Sequence, residues 1–289
     1  MKNAFLFFFL LIAICALAMA APSSGRAPSV LFDEGHGQKF VTERKEALDL
    51  SGLAGVFRSR GAAVRAVHEP LAASTLKGAD ALVVSGAFAP LTPAEADAIL
   101  GFLDRGGRVA IMLHIGQPVA DLLHRLGVSI SNGVIREQEG ILEKDPMNFR
   151  ATRFEPHPVT KGLKEFSVRG GWALLPAAPG VKAIASTSPR AWIDLNQDGV
   201  REEKDAMQAF ALVVVGERGA GRFVVFCDDA IFQNQFLSGG NRRLAENLAG
   251  WLVESAGAAP QQRASAPLPE QASAPLLASR ASGPSVAGE

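Results

Sequence analysis

Short apolar runs alternate with helix signals along the first half of the sequence. An apolar run at 29–32 precedes a stretch at 43–60 in which apolar residues recur at helical spacing, and further runs follow at 63–67, 79–85 and 108–113. Strands that alternate with helices in this way favour parallel pairing, because parallel neighbours need crossover connections. The pattern predicts an α/β fold with a mainly parallel sheet and helices on both faces.

Two further helices are predicted beside these strands. Thr92, Pro93 and Glu95 supply an N-cap, a first-turn proline and a capping-box glutamate, so a helix should begin there and end before Gly106. A second helix is predicted at 119–126, after the strand that starts at Arg108.

The second half of the sequence is richer in β signals. Its β-like runs are 181–185, 191–193, 209–216 and 221–227. Residues 217–221 favour a hairpin turn, which predicts antiparallel strands that extend the sheet. An amphipathic helix is predicted at 241–254. We expect one domain over residues 27–255.

The two ends of the chain differ from this domain. Residues 1–20 combine Lys2, an apolar run and Ala18-Met19-Ala20, a pattern typical of a cleaved secretory signal. An uncleaved anchor is the alternative, but the run is short for a transmembrane helix, and no later segment could span a membrane. Residues 256–289 are rich in Ala, Pro and Ser and lack aromatics, which predicts a disordered tail. The protein is therefore expected in the periplasm or outside the cell.

Charge argues against one class of function, and cysteine content argues against a disulfide. Lys and Arg number 29 and Asp and Glu number 29, so the chain lacks the basic footprint of a nucleic-acid-binding protein. Cys15 lies in the predicted signal, which leaves Cys227 without an intramolecular disulfide partner. The apolar residues before Cys227 predict a buried strand cysteine.

Polar residues follow several predicted strands. In parallel sheets, ligands bind beyond the carboxyl ends of the strands, where these loops meet. The candidate ligand-binding residues are Asp33, Glu34, His36, Gln38, His114, Asp228 and Asn234. Carboxylates beside a histidine can form a metal site, a proton-transfer pair or a network of loop-capping hydrogen bonds, and the sequence leaves these alternatives open.

The loop from Asp194 to Asp205 has the spacing of a calcium site. Calcium prefers several oxygen ligands, and Gly199 allows the sharp turn at position six. The candidate metal ligands are Asp194, Asn196, Asp198, Val200, Glu202 and Asp205. Aspartate at position twelve resembles the calcium loops of dockerin-type modules. The alternative is an acidic hairpin tip that uses these residues for turn geometry alone.

Four segments taken together resemble the class I glutamine amidotransferase-like superfamily. They are Val30–Gly37, Leu91–Arg108, His157–Leu163 and the set Gly219–Gly221, Asp228, Asn234 and Asn241. The resemblance is to an exported branch of unknown function, related to accessory domains of gliding-motility-type ABC transporters. It implies a flavodoxin-like three-layer sandwich and, in true amidotransferases, a cysteine at a sharp turn after a central strand. Here that region, 112–117, contains no Cys, Ser or Thr, which argues against glutamine hydrolysis.

Three functions fit these observations. The first is a non-catalytic exported module that binds a small ligand or an envelope protein through the Asp33 and Asp228 loops, with no catalytic residue assigned. The second is a metal-assisted hydrolase of a cell-envelope saccharide or peptide, in which Asp33, Glu34 and His36 act as acid, base or ligands. The third is a structural partner in an envelope transport assembly, with the tail as a tether.

Overall fold

The structure is a computed structural model that describes residues 26–196 and 198–253. The predicted signal at 1–20 and the predicted tail at 256–289 lie outside the described residues. Both therefore stay predictions. None of the helices in the described ranges has the length and apolar character that a membrane span requires.

Strands and helices alternate at first, and strands dominate later. The first half contains β1 (Ser29–Asp33), α1 (Ser51–Ser59), β2 (Ala63–Val67), β3 (Ala81–Ser85), α2 (Pro93–Asp104), β4 (Arg108–Met112), α3 (Ala120–Arg125) and β5 (Val128–Arg136). The second half contains β6 (Ile141–Leu142), β7 (Asp145–Ala151), β8 (Arg153–Phe154), β9 (Phe166–Arg169), β10 (Trp172–Pro176), β11 (Lys182–Ser186), β12 (Trp192–Ile193), β13 (Ala206–Met207), β14 (Ala211–Arg218), β15 (Gly221–Phe226) and α4 (Gly239–Val253).

One large sheet organises these elements. Its main path runs β13-β12-β5-β10-β14-β15-β4-β3-β1-β2, with β11 on β14 and β8 on β11. The five strands β15, β4, β3, β1 and β2 are parallel, and the strands beyond β15 pair antiparallel. The predicted parallel sheet with an antiparallel extension is confirmed. A small separate sheet contains β6, β7 and β9.

The parallel strands form the centre of the core. Every residue of β3 and β4 is buried, as expected for strands covered on both faces. Parallel register places Asp33 beside Val84 and Ser85 beside Met112, so these strands end at the same edge of the sheet.

The helices cover the two faces of the sheet. Helix α1 contacts β2 and α4, whereas α2 contacts β4, β15 and α3. The crossover from β1 through α1 to β2 runs toward one edge of the sheet, and the crossover from β3 through α2 to β4 runs toward the other edge. Because both crossovers are right-handed, α1 and α2 lie on opposite faces. The molecule is a three-layer flavodoxin-like sandwich, as the sequence predicts.

The start of α2 is as predicted from local motifs. The Thr92 hydroxyl accepts from the Glu95 amide, and the Glu95 carboxylate accepts from the Thr92 amide at 2.9 Å. Both halves of the capping box are present, and Pro93 occupies the first turn.

The first helix is shorter than predicted. It begins at Ser51 instead of Glu43, and residues 43–50 form turns and bends. The Asp49 carboxylate explains the difference, because it accepts hydrogen bonds from the amides of Val41 and Glu46, which hold a turn in place of helix.

Candidate functional site

Four loops meet at the carboxyl edge of the parallel strands. The Phe88 amide, after β3, donates to the His36 carbonyl, after β1, at 2.9 Å. The Phe88 ring lies 4.9 Å from the ring of His114, after β4, and the Asp229 amide, after β15, donates to the Leu113 carbonyl at 2.7 Å. The expected convergence of these loops is therefore present in the structure.

His114 and Asp229 form a side-chain pair at the centre of this edge. His114 Nδ1 lies 3.1 Å from Asp229 Oδ1, and their side chains are 37% and 0% exposed. The hydrogen bond to Asp229 raises the pKa of His114, and burial raises the pKa of Asp229. A half-buried imidazole is thus oriented from behind by a buried carboxylate, an arrangement that favours a proton on His114.

Two phenylalanine rings pack beside this imidazole and against each other, with their own centroids 6.4 Å apart. The ring centroids of Phe40 and Phe88 lie 5.3 and 4.9 Å from that of His114. The Lys39 ammonium lies 6.0 Å from the Phe88 centroid. The Trp172 indole N–H donates to the His114 carbonyl at 3.1 Å and fixes the backbone. The result is a partly exposed surface on which an imidazole lies beside two apolar rings.

Asp228 is buried and holds two backbone segments together. Its Oδ2 accepts from the Arg169 amide at 2.6 Å and its Oδ1 from the Ala230 amide at 2.9 Å. Burial, together with neighbouring Asp229, raises the pKa of Asp228 to about 8. It is placed to support the site from inside rather than to touch a ligand.

Two buried polar atoms beside this pair lack partners. Asp229 Oδ2 and Ser85 Oγ have no hydrogen-bond partner among the described residues. Gly86 has a φ of +58°, and a Cβ on it would lie 2.4 Å from Asp229 Oδ2. Only glycine fits this close approach without a shift of the backbone or carboxylate.

The loop after β1 contains a second polar cluster, which is internally bonded. His36 Nδ1 lies 2.8 Å from Asp33 Oδ2, and Nε2 lies 3.0 Å from Glu95 Oε1. The hydrogen bond to Asp33 raises the pKa of His36. Burial opposes ionisation of Glu95, but hydrogen bonds from Thr92 and Leu71 outweigh it and lower the Glu95 pKa to about 2. The His36 imidazole therefore lies charged between two carboxylates, and each of its ring nitrogens is hydrogen-bonded to one of them.

Gln38 and Glu34 are bonded within the same loop. The Gln38 amide donates to Asp33 Oδ2 at 2.7 Å and accepts from the His36 amide at 2.7 Å. Glu34 Oε1 accepts from the amide and hydroxyl of Thr42 at 2.7 and 2.8 Å. These contacts are the loop-capping arrangement, one of the alternatives that the sequence left open.

The contacts of Asn234 are with the start of α1 and the turn before it. Its Oδ1 accepts from the Gly52 amide at 2.8 Å, and its Nδ2 donates to the Glu46 carbonyl at 2.7 Å. It therefore caps the start of α1 from a distance, since Leu50, the local N-cap residue, makes no side-chain cap.

Sequence reasoning missed the residues that surround His114. Phe40, Phe88 and Lys39 come from loops distant in sequence, and neither phenylalanine carries a local motif. Asp229 is one of the polar residues that follow the last predicted strand, but nothing in the sequence marks it as the partner of His114.

The predicted calcium residues lie on another part of the molecule. The six candidates, Asp194, Asn196, Asp198, Val200, Glu202 and Asp205, lie on the loop between β12 and β13, several strands from β4 in the sheet order. Gln197 in this loop is outside the described ranges. Among the described residues, no three His, Cys, Asp or Glu side chains are already grouped as a metal site.

Comparisons with known proteins agree with this fold. Residues 43–249 match the model of a family described as "Domain of unknown function (DUF4350)". No curated protein matches the chain. The solved structure "mmIFT52 N-terminal domain" is 17% identical with a TM-score of 0.64, and the match covers 78% of this chain and 98% of that one. A ThuA-like protein from Bacteroides uniformis ATCC 8492 is 16% identical with a TM-score of 0.48, covering 81% and 96%.

Proposed function

The chain belongs to the DUF4350 family of domains of unknown function. We propose that it is a non-catalytic module that binds a small ligand or a partner protein. The binding site is the carboxyl edge of the parallel strands, with His114 at its centre. The observation that supports the proposal most is the partly exposed His114 imidazole, held by buried Asp229 and packed beside two phenylalanine rings.

The chemistry of this surface suggests the kind of ligand. His114 Nε2 makes no hydrogen bond within the described residues and is free to donate one. Phe40 and Phe88 offer apolar contact beside it, and Lys39 adds a positive charge. A ligand with an aromatic or other apolar body and a carboxylate fits these groups, because a charged acceptor strengthens the hydrogen bond from a protonated imidazole.

The missing nucleophile supports a non-catalytic role. The segment from Met112 to Gln117 contains His114 but no Cys, Ser or Thr. Cys227 is fully buried, and burial raises its pKa well above the ordinary value, which disfavours the reactive thiolate. Acyl transfer by an amidotransferase-like mechanism therefore has no nucleophile here.

Export is part of the proposal and depends on the sequence of residues 1–20. It places the module in the periplasm or outside the cell, with an envelope protein or a small envelope molecule as its partner. We also propose, from the sequence resemblance, that the chain is related to accessory domains of gliding-motility-type ABC transporters.

Ligand-observed NMR with phenylacetate and its uncharged analogue phenylacetamide tests the binding site. The native protein should bind the carboxylate more tightly than the amide, and His114→Ala should lose at least about tenfold in affinity for it, since a hydrogen bond to a charged group contributes about 1.5–3 kcal/mol. His124→Ala is the matched control, because His124 is an exposed histidine in the last turn of α3. Equal binding by the native protein and His114→Ala would refute the site.

Hydrolysis is a second candidate, favoured by the His114–Asp229 pair. A carboxylate behind an accessible imidazole is the arrangement of a general base. The metal-assisted version built on Asp33 and His36 is less favoured, because both His36 ring nitrogens are bonded to carboxylates. Release of sugar or peptide from peptidoglycan fragments, lost in His114→Ala and retained in His124→Ala, would support catalysis.

A further inference from the structure

The loop between β12 and β13 offers a second site, independent of binding at His114. It spans residues 194–205 and lies near the antiparallel end of the large sheet. All its side-chain donors to a cation are oxygens, and it contains no His or Cys. Such a donor set suits a hard cation rather than zinc or copper.

The backbone of the loop already wraps around its first carboxylate. Gly199 has a φ of +79°, and its amide donates to Asp194 Oδ2 at 2.7 Å. The Val200 amide donates to Asp198 Oδ1 at 2.8 Å. Gly199 thus makes the sharp turn at position six and directs the chain back toward Asp194.

A buried oxygen without a partner points to a missing ligand. Asp194 is 5% exposed, and its Oδ1 accepts no hydrogen bond from the described residues. Its other oxygen faces the loop amide of Gly199, so the carboxylate is directed into the loop. Arg136 lies 3.5 Å from that same Oδ2 and leaves Oδ1 unsatisfied. Because an unsatisfied buried carboxylate oxygen costs free energy, a bound cation would stabilise it.

The remaining oxygens lie close by. The Asn196 amide nitrogen is 2.8 Å from Asp198 Oδ2 and 3.2 Å from Glu202 Oε2, so three side chains meet on one side of the loop. Asp205, at position twelve, is 8% exposed and accepts from the Glu202 amide at 2.7 Å. Its position brings the end of the loop back to its start.

We propose that this loop binds one Ca²⁺ ion. The ligands are the side chains of Asp194, Asn196, Asp198 and Asp205 and the carbonyl of Val200, with Glu202 coordinating directly or through water. Asn196 and Asp198 are exposed and must turn inward to reach the ion, and calcium, with its variable geometry, tolerates such a site better than Mg²⁺ does.

Calorimetry and thermal melting of the purified chain with CaCl₂, after removal of metal by chelation, test the proposal. We expect one ion per chain and, at about ten times Kd, a rise in Tm of about 3 to 5 °C. MgCl₂ should give a smaller rise.

Asp198→Ala should weaken calcium binding at least about tenfold, and it should fold because Asp198 is exposed. The matched control is Glu203→Gln, which loses the same charge in the same loop at an exposed position that is not a ligand.

One result of these measurements would support the calcium site, and two would overturn it. Calcium binding that is lost in Asp198→Ala and kept in Glu203→Gln supports the site. No heat and no Tm change at about 10 mM CaCl₂, well above the Kd range of weak extracellular calcium modules, would overturn it. Binding that survives in Asp198→Ala would also overturn it, because the ion would then lie elsewhere. None of these results depends on ligand binding at His114.

Discussion

His36 joins the loop after β1 to the start of α2, because its Nε2 lies 3.0 Å from Glu95 Oε1 across 59 positions of sequence. Both side chains are buried, at 8% and 9% exposure. The same glutamate completes the capping box with Thr92. One carboxylate therefore fixes a helix end and holds an imidazole in place.

This contact predicts a pH dependence of stability. The pKa of His36 is raised above 6.5, so its stabilising contribution is complete below pH 6.5 and is lost as pH rises through the folded-state value. The pKa of Glu95 is lowered from 4.5 to about 2, so its contribution is complete above pH 4.5 and is lost as pH falls toward 2. The contact should be strongest between pH 4.5 and 6.5.

Urea denaturation of the native protein and His36→Gln measures this effect. The native protein should be more stable by about 3 kcal/mol near pH 6, the usual scale for breaking a buried ion pair. That difference should shrink by about pH 9, whereas exposed His124→Gln should match the native protein at both pH values. A difference for His36→Gln that is as large at pH 9 as at pH 6 would show that charge on His36 does not matter.

Gly86→Ala should destabilise the protein through a clash as well as through backbone strain. The added Cβ would lie 2.4 Å from Asp229 Oδ2, and the φ of +58° is itself unfavourable for alanine. The expected loss is about 2–5 kcal/mol in the free energy of unfolding. Gly61→Ala is the control, because Gly61 has a φ of +80° but no atom near the added Cβ, so it should lose only about 1–2 kcal/mol. Equal losses would show that the approach to Asp229 is not tight.

Asn234→Ala should weaken the fold without weakening the binding of phenylacetate. It removes the acceptor for the Gly52 amide, and the loss of such a cap costs about 1–2 kcal/mol. Neighbouring Gln235→Ala, at an exposed position, should have little effect on stability. If Asn234→Ala lowered affinity for phenylacetate as strongly as His114→Ala, Asn234 would belong to the ligand site after all.

The features that the sequence predicted are local ones. Thr92 and Glu95 cap a helix through residues three positions apart, and the apolar runs of β1, β3 and β4 each fit a strand buried on both faces. These signals depend on neighbouring residues alone. The start of α2, the parallel strands and the hairpin turn were therefore predictable.

The features that it missed depend on contacts between distant residues. The helix predicted from Glu43 fails because Asp49 holds a turn and Asn234, far along the chain, caps the later start. The burial of β5 and β7 follows no clear period, and the pairing of β5 with β10 is bulged. Likewise, Asp229, Phe40 and Phe88 join His114 only after four strands align at one edge.

The imidazole resonances of His114, followed by NMR as phenylacetate is added, provide the decisive test of a binding site at this edge. We predict saturable shifts of the His114 ring signals, while those of exposed His124 stay unchanged. We also predict that Asp229→Asn lowers the pKa of His114 and weakens the response, since the bond to Asp229 is what raises that pKa. His114 signals that do not move at any concentration, or that move together with those of His124, would contradict the proposed site.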